Sequence, residues 1–234
     1  MSSARILVFA KAPQPGRVKT RLVPALGPEG AARLYREMLR HCIGTATSAL
    51  PGGVELWCAP DATHAFFVEC GAAWLLPLRE QAGGNIGERM SEAMRVALRE
   101  VDAALILGSD VPAITSADVR DALCALASGC DAAFVPTEDG GYGLIGLARH
   151  DPALFEGIAW STPSVMAQTR ERLSLLGWSW RELPVRWDVD RPEDLARVAA
   201  DPALAALLAC VRLPKWCARF PSPAPVPNPC RDFR

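Results

Sequence analysis

The sequence carries almost no excess charge of either sign. Its 234 residues include 25 Lys and Arg and 26 Asp and Glu, so the formal net charge is −1. A general nucleic-acid-binding protein usually has a basic excess, and the balance argues against that class. It leaves room for a local cationic cluster that binds one phosphate group. The composition, 50% hydrophobic and 22% charged, is typical of a soluble globular protein and excludes a disordered chain.

The sequence also lacks the ligand spacing of a zinc site. It has eight cysteines but no C-x-x-C pair, and its three histidines lie at no ligand spacing from a cysteine. These absences argue against bound zinc. The N-terminal residues lead directly into an apolar stretch that is too short for a signal peptide or a membrane span. We therefore expect a cytoplasmic protein with reduced thiols.

No internal repeat divides the sequence, and short apolar runs alternate with amphipathic stretches. The apolar runs predict strands at residues 5–10, 54–59, 74–78, 103–107, 131–136, 142–147 and 180–185. Helical periodicity predicts helices at 30–50, 61–70, 86–100, 116–128 and 162–176, and another that begins at Pro192. The alternation predicts an α/β fold with a mostly parallel sheet covered on both faces. We expect one domain over residues 1–210 and a proline-rich tail over 211–234.

Two local expectations concern helix ends and faces. Ser116 is a favourable N-cap for the fourth helix, and Pro192 is favourable at the first position of the last one. Ile86 lies at helical spacing from Met90, which predicts that both side chains share one buried face.

Three polar segments follow predicted strands at their carboxyl ends, at residues 11–21, 108–112 and 186–194. Ligands of open parallel sheets bind beyond those ends, so we expect the segments to form one site. The first segment contains four cations: Lys11, Arg17, Lys19 and Arg21. Such a loop can surround a phosphate with backbone amides and cationic side chains. It is not a P-loop, because Val18 rather than glycine precedes Lys19.

The other two segments supply carboxylates. Asp110 follows an apolar strand, where it could hold Mg²⁺ or Mn²⁺ or simply close a turn. Asp188 and Asp190 share one face of an extended segment, so both could approach one cation. Asp190 could instead cap the following helix. We expect one of the two to reach the metal and favour Asp190.

Two further segments are candidates for substrate contacts. Asp139-Gly140-Gly141 allows close approach of the backbone to a ligand, although Asp-Gly is also a strong turn signal. Trp160 could stack on a base or a sugar, and Ser161 or Thr162 behind it could cap the next helix.

The same segments resemble a family signature. Residues 9–22 match the opening motif of an incompletely characterised family of nucleotide-diphospho-sugar-transferase-like proteins, some of them labelled A-type glycosyltransferases or selenodomain-associated transferases. Further motifs follow in family order: Gly87-Glu88-Arg89-Met90, Gly108-Ser109-Asp110-Val111-Pro112, Asp139-Gly140-Gly141-Tyr142 with Leu144-Ile145-Gly146-Leu147, Trp160-Ser161-Thr162, and Asp188-Val189-Asp190 with Glu193-Asp194-Leu195. Asn85, where the family pattern has Asp, and Glu138, where it has a small residue, depart from it.

The resemblance implies the A-type glycosyltransferase fold, a three-layer α/β/α Rossmann-like sandwich. It implies catalytic roles for Lys19, Arg21 and Asp110, and a site for Mg²⁺ or Mn²⁺ at Asp110 and Asp190. The implied nucleotide-binding residues are Ala10, Lys11, Gly16, Lys19, Arg21 and Ser109. The implied substrate-binding residues are Asp139, Gly140, Gly141, Tyr142, Trp160, Ser161 and Thr162.

We therefore expect a metal-dependent transferase that acts on a nucleotide or nucleotide-diphospho-sugar and resembles a glycosyltransferase. A nucleotidyltransferase that joins a nucleoside triphosphate to a phosphorylated acceptor, with pyrophosphate release, is the alternative, because the Lys-Thr-Arg cluster suits a triphosphate. A non-catalytic nucleotide sensor is a third reading. The expected partners are a nucleotide or nucleotide sugar and a small-molecule acceptor, with no nucleic acid and no membrane span. A homodimer is left open.

Overall fold

The computed structural model describes residues 3–211. The predicted proline-rich tail lies outside the described residues except for its first residue, and Cys217 and Cys230 lie outside them as well. The domain boundary at residue 210 and the cytoplasmic location stay predictions. No helix within residues 3–211 is long and apolar enough to cross a membrane.

Seven strands form a single sheet: β1 Ala4–Lys11, β2 Val54–Ala59, β3 Leu78–Glu80, β4 Ala103–Gly108, β5 Ala132–Pro136, β6 Tyr142–Leu147 and β7 Trp180–Glu182. Their order across the sheet is β3-β2-β1-β4-β6-β5-β7. Strand β6 is antiparallel to both of its neighbours, and the other strand pairs are parallel. The predicted α/β fold with a mostly parallel sheet is confirmed.

Six α-helices accompany the sheet: α1 Val23–Ala49, α2 Ala65–Trp74, α3 Ile86–Ala97, α4 Ser116–Ala127, α5 Val165–Leu175 and α6 Asp194–Ala200. Successive side chains of a strand point to opposite faces. Ile6 and Val8 of β1 therefore pack with α1, α2 and α4 in one apolar core. Leu7 and Phe9 pack with α3 and α5 in a second core on the other face. These two cores produce the predicted three-layer sandwich.

The region between β2 and α3 differs from the prediction. The helix predicted at 61–70 begins at Ala65, because Asp61 closes a turn by accepting a hydrogen bond from the Thr63 amide at 2.8 Å. The strand predicted at 74–78 is wrong, because Trp74 is the last residue of α2 and the strand starts only at Leu78. Strand β3 therefore ends at Glu80, directly before Gln81, and not at residue 78 as predicted.

Several helix ends also differ from the prediction. Thr115 rather than Ser116 caps α4, since its hydroxyl accepts a hydrogen bond from the Asp118 amide at 3.2 Å. Helix α5 begins at Val165, so Ser161 and Thr162 do not cap it.

The start of α6 and the first residue of α3 also differ from the prediction. Pro192 lies in the turn before α6, which begins at Asp194. Ile86 does not share the buried face of Met90: it is 39% exposed, whereas Met90 is 6% exposed. As the first residue of α3, it lies at the edge of the sheet where the polar segments gather.

Candidate active site

The sheet changes its direction of winding beside β1. Strands β2 and β3 lie on one side of β1 and β4 lies on the other, so the chain leaves this point in opposite directions. Ligands of open α/β sheets bind in the crevice that forms there. All three predicted polar segments reach it: Lys11 ends β1, Asp110 follows β4, and the Val189 amide donates to the Asp110 carbonyl at 3.0 Å.

A cavity of about 560 Å³ opens at the carboxyl end of β1, and we call it the β1 cavity. Its volume lies within the range of small-molecule sites, roughly 300–1,000 Å³. It contains five of the predicted site residues: Ala10, Lys11, Ser109, Asp110 and Tyr142. The ends of β1, β2 and β4 and the start of α3 surround it, as the strand-end argument predicts.

The cationic loop after β1 is held in a defined conformation. The Arg17 amide donates to the Gln14 carbonyl at 3.0 Å, and Gly16 has a φ of +75°, which favours glycine. Lys19 has a φ of +47°, uncommon for a residue with a side chain. Its side chain is 4% exposed, and its Nζ lies 2.6 Å from Asp110 Oδ1. Two of the three predicted catalytic residues thus form an ion pair.

A second cavity, of about 580 Å³, adjoins the first; we call it the Trp160 cavity. Both cavities are lined by Ile86, Met90, Asp110, Val111 and Tyr142. The remaining predicted residues that line the Trp160 cavity are Lys19, Arg21, Asp139, Gly141, Trp160, Ser161, Thr162, Asp188 and Asp190. Asp110 and Tyr142 therefore stand where the two cavities meet. Gly16 and Gly140 line neither cavity.

The carboxylates of the third polar segment lie in different surroundings. Asp190 forms an ion pair with Arg21 and does not cap α6. Asp194 closes that turn instead, since its carboxylate accepts from the amides of Asp190 at 2.9 Å and Arg191 at 2.6 Å. Burial, followed by the nearby carboxylate of Asp139, raises the pKa of Asp188. Negative charge is therefore concentrated on this side of the Trp160 cavity.

The Asp139-Gly140-Gly141 segment is a turn that also reaches the cavity. Asp139 Oδ1 accepts from the Thr137 hydroxyl at 2.5 Å and from the Gly141 amide at 3.1 Å. Gly140 has a φ of +88°, and a Cβ there would lie 2.7 Å from the carbonyl carbon of Pro163. Glycine is required for this contact, which joins the turn to the loop before α5.

Trp160 is fixed by the same kind of close approach. A Cβ on Gly87 would collide with the indole of Trp160, so that ring packs directly on the start of α3. Ser161 has a φ of +64°, and the Thr162 hydroxyl donates to the Ala159 carbonyl at 2.7 Å. This loop forms part of the wall of the Trp160 cavity.

Comparison with known proteins identifies the family. Residues 42–162 match the family described as "Uncharacterized protein conserved in bacteria (DUF2064)". A candidate nucleotide-diphospho-sugar transferase from Desulfovibrio desulfuricans G20 is 33% identical over 89% of this chain and 94% of its own, with a TM-score of 0.77. The chain belongs to the DUF2064 family of nucleotide-diphospho-sugar-transferase-like proteins. The predicted resemblance is confirmed.

More distant structures share the fold of this DUF2064 protein. A nucleotidyl transferase from Methanothermobacter is 12% identical over 88% of this chain and 98% of its own, with a TM-score of 0.56. CMP:2-keto-3-deoxy-manno-octonic acid synthetase, solved with CTP, is 17% identical over 85% and 98%, with a TM-score of 0.52. The search of curated proteins gives no match.

The carboxylates of the site could supply some, but not all, of the ligands of a divalent cation. Within residues 3–211 no group of three or more His, Cys, Asp or Glu side chains is close enough to hold a metal by itself. The carboxylate of Asp110 is 62% exposed and faces both cavities, and that of Asp190 is 31% exposed. Carboxylates are the hard oxygen donors that Mg²⁺ and Mn²⁺ prefer, often together with substrate phosphates. The donor set fits a metal whose coordination a diphosphate completes.

Two polar residues that line the β1 cavity, Tyr35 and Gln81, lie outside every segment that the sequence singles out. Tyr35 is a buried residue of α1, and a tyrosine on the apolar side of a helix gives no sequence signal that separates it from the core. Gln81 donates from Nε2 to the carbonyls of Ala10 at 3.2 Å and Trp57 at 2.8 Å. It follows β3, so the strand-end argument could have found it had β3 been placed correctly.

The two departures from the family pattern have structural partners. Asn85 caps α3 in a reciprocal pair with Glu88, each side chain accepting from the other's amide. Glu138 forms two hydrogen bonds with Arg197 of α6, at 2.7 and 2.8 Å. Both residues therefore stabilise loops beside the site.

Proposed function

We propose that this DUF2064 protein is a metal-dependent transferase that acts on a nucleotide or nucleotide-diphospho-sugar, in the manner of a glycosyltransferase. The observation that carries the proposal is the Lys19–Asp110 ion pair, with Asp110 at the junction of two adjoining cavities. Each cavity has the volume of a small-molecule site. A reaction between two bound substrates needs this arrangement.

The two cavities suit different parts of the substrates. Phe9, Ile106 and Met90 give the β1 cavity an apolar lining that suits a nucleoside. The diphosphate would then extend toward Lys19 and Arg21, which line the Trp160 cavity. The sugar and its acceptor would occupy the Trp160 cavity, where an aromatic ring and several carboxylates are available for hydroxyl groups. Transfer would take place beside Asp110.

The carboxylates and the cations around the proposed diphosphate would have different electrostatic roles. Asp110 and Asp190 would hold Mg²⁺ or Mn²⁺, and a bound cation would stabilise charge on the nucleoside-diphosphate leaving group. Lys19 and Arg21 would donate hydrogen bonds to phosphate oxygens as negative charge develops there. Lys19 is buried and paired with Asp110, so its charge already lies beside the position proposed for the diphosphate.

Nucleotidyl transfer is the second candidate, and one observation favours it. Lys19 and Arg21 both face the Trp160 cavity, where the outer phosphates of a triphosphate would lie. In that reaction a phosphate of the acceptor attacks the α-phosphorus, the bond to the β-phosphate breaks, and pyrophosphate leaves.

Product analysis separates the two reactions. The protein is incubated with Mg²⁺ and either a panel of nucleotide sugars or nucleoside triphosphates with phosphorylated acceptors. Free nucleoside diphosphate from a nucleotide sugar supports glycosyl transfer. Pyrophosphate release from a triphosphate, without cleavage of any nucleotide sugar, contradicts it and supports nucleotidyl transfer.

A non-catalytic sensor is distinguished by the variant Asp110→Asn. The proposed transferase loses the part of its nucleotide affinity that depends on Mg²⁺, whereas a sensor keeps most of its affinity with or without the metal. Asp121→Asn is the matched control, because Asp121 is exposed on α4 and lines neither cavity. Isothermal titration with a nucleoside diphosphate, with and without Mg²⁺, measures both effects.

A further inference from the structure

A buried hydroxyl stands where β1 and β4 separate. In β1 the amides of Ile6 and Ala12 donate toward β2, so the amide of Lys11, an odd number of residues away, points toward β4. The pairing of β1 with β4 ends at Phe9, and no β4 carbonyl is left for Lys11. The hydroxyl of Tyr35 takes its place and accepts from the Lys11 amide at 2.9 Å.

The same hydroxyl contacts the residue that follows β4. Tyr35 Oη lies 2.9 Å from Ser109 Oγ, and the two side chains belong to residues that are 3% and 6% exposed. Because the Lys11 amide already donates to Tyr35, the phenolic proton needs an acceptor, and within residues 3–211 Ser109 Oγ is its hydrogen-bond partner. A phenolic O–H is more acidic than the O–H of a serine, so Tyr35 is the stronger donor of the pair and the Ser109 oxygen is the better acceptor. The direction is therefore Lys11 N–H to Tyr35, and Tyr35 O–H to Ser109.

This direction frees the proton of Ser109. Its oxygen accepts from Tyr35, so its own O–H is available to the β1 cavity, which Ser109 lines beside Asp110. Hydrogen bonds in such a chain polarise one another and strengthen the last donor. The neighbouring carboxylate of Asp110 can only accept hydrogen bonds. The Ser109 hydroxyl therefore adds a donor for a ligand oxygen that approaches between the ends of β1 and β4.

We propose that Tyr35 is a positioning residue that orients Ser109 as a hydrogen-bond donor to an oxygen of the nucleotide, either of its ribose or of its phosphates. The proposal rests on the proposed function, because it requires a nucleotide in the β1 cavity. Tyr35 acts only through Ser109 and touches no reacting atom.

The test is a double-mutant cycle on binding. Isothermal titration with UDP, GDP, CDP and ADP in the presence of Mg²⁺ first selects the nucleotide that the wild type binds best. Tyr35→Phe and Ser109→Ala are each expected to weaken its binding by about three- to tenfold, the effect of one hydrogen bond. The double variant is expected to bind as weakly as Ser109→Ala alone. Titration of the same variants with the corresponding nucleoside identifies the oxygen. If the variants also bind the nucleoside more weakly, the hydrogen bond is to the ribose. If only binding of the nucleoside diphosphate is weakened, the hydrogen bond is to a phosphate.

A matched control and the unfolding free energies separate positioning from stability. Thr47→Val removes a hydroxyl from the same helix that bonds only to backbone carbonyls of α1, and it should leave nucleotide affinity unchanged. If Tyr35 had a purely structural role, Tyr35→Phe would lower the free energy of unfolding, and its effect on nucleotide binding would be independent of Ser109→Ala. If Tyr35→Phe does not fold, Ser109→Ala alone carries the test, and an unchanged affinity overturns the proposal.

Two other results also overturn it. Wild-type affinity in Tyr35→Phe, or a full additional loss in the double variant, contradicts the positioning role and leaves the proposed function standing. A wild-type protein that binds none of the four nucleotides overturns the proposed function as well.

Discussion

The variant Gly140→Ala should destabilise the protein by about 2–4 kcal/mol. The φ of +88° at this position costs an alanine about 1 kcal/mol. The added Cβ would also lie 2.7 Å from the carbonyl carbon and 2.8 Å from the Cα of Pro163. Since backbone atoms rather than a flexible side chain must move, the clash should add about 1–3 kcal/mol.

The control Gly129→Ala isolates the clash from the backbone conformation. Gly129 also has a positive φ, of +102°, but no atom lies within 4 Å of a Cβ added there. It should therefore cost only about 1 kcal/mol. Urea unfolding, monitored by tryptophan fluorescence, gives the free energies of unfolding of both variants under identical conditions. If Gly140→Ala costs no more than Gly129→Ala, the close contact between the Asp139 turn and the loop before α5 is wrong.

Three further variants test other parts of the account. Asp118 is 4% exposed; burial alone would raise its pKa, but hydrogen bonds from Arg186 and Thr115 outweigh burial and lower it. Asp118→Asn should therefore cost about 2 kcal/mol in urea unfolding at neutral pH, and the difference should shrink as the pH falls below about 4; a difference independent of pH contradicts this. Asn85→Ala removes the cap of α3 and should cost about 1 kcal/mol in the same assay, whereas an unchanged midpoint would refute the capping role. Lys19→Met should weaken binding of a nucleoside diphosphate by about 10–100-fold in calorimetric titration, while equal affinity would remove Lys19 from the phosphate site.

The range of a strand or helix was predictable where consecutive turn residues mark its end in the sequence. Residues 54–59 form a strand over the predicted range, because an apolar run follows a Pro-Gly-Gly turn that ends α1. Residues 61–78 contain only the isolated Gly71 and Pro77 rather than consecutive turn residues, and the helix and strand predicted there were displaced. The Asp61 turn that delays α2, and the left-handed Leu75 that ends it, are tertiary outcomes of residues whose types allow other conformations.

The candidate site was predictable where chemistry follows a strand directly. Lys19 lies in the loop after β1 and Asp110 in the loop after the neighbouring β4, so the topology of a parallel sheet brings the two loops to one edge. Tyr35 could not be recognised in this way, since its role depends on where the β1–β4 pairing stops. Whether Asp188 or Asp190 contacts a metal also depends on side-chain partners: Asp190 pairs with Arg21, and Asp188 is half-buried near Asp139.

The central claim is that a metal-bound diphosphate lies between the cationic loop and Asp110. It is tested most directly by a crystal structure of the protein with a nucleoside diphosphate and Mn²⁺, with the metal located by its anomalous scattering. We predict one manganese peak within coordination distance of Asp110 and of two phosphate oxygens, with the nucleoside in the β1 cavity and Lys19 on the diphosphate. A nucleotide bound elsewhere, or a diphosphate at the cationic loop with no manganese at Asp110, would contradict the account.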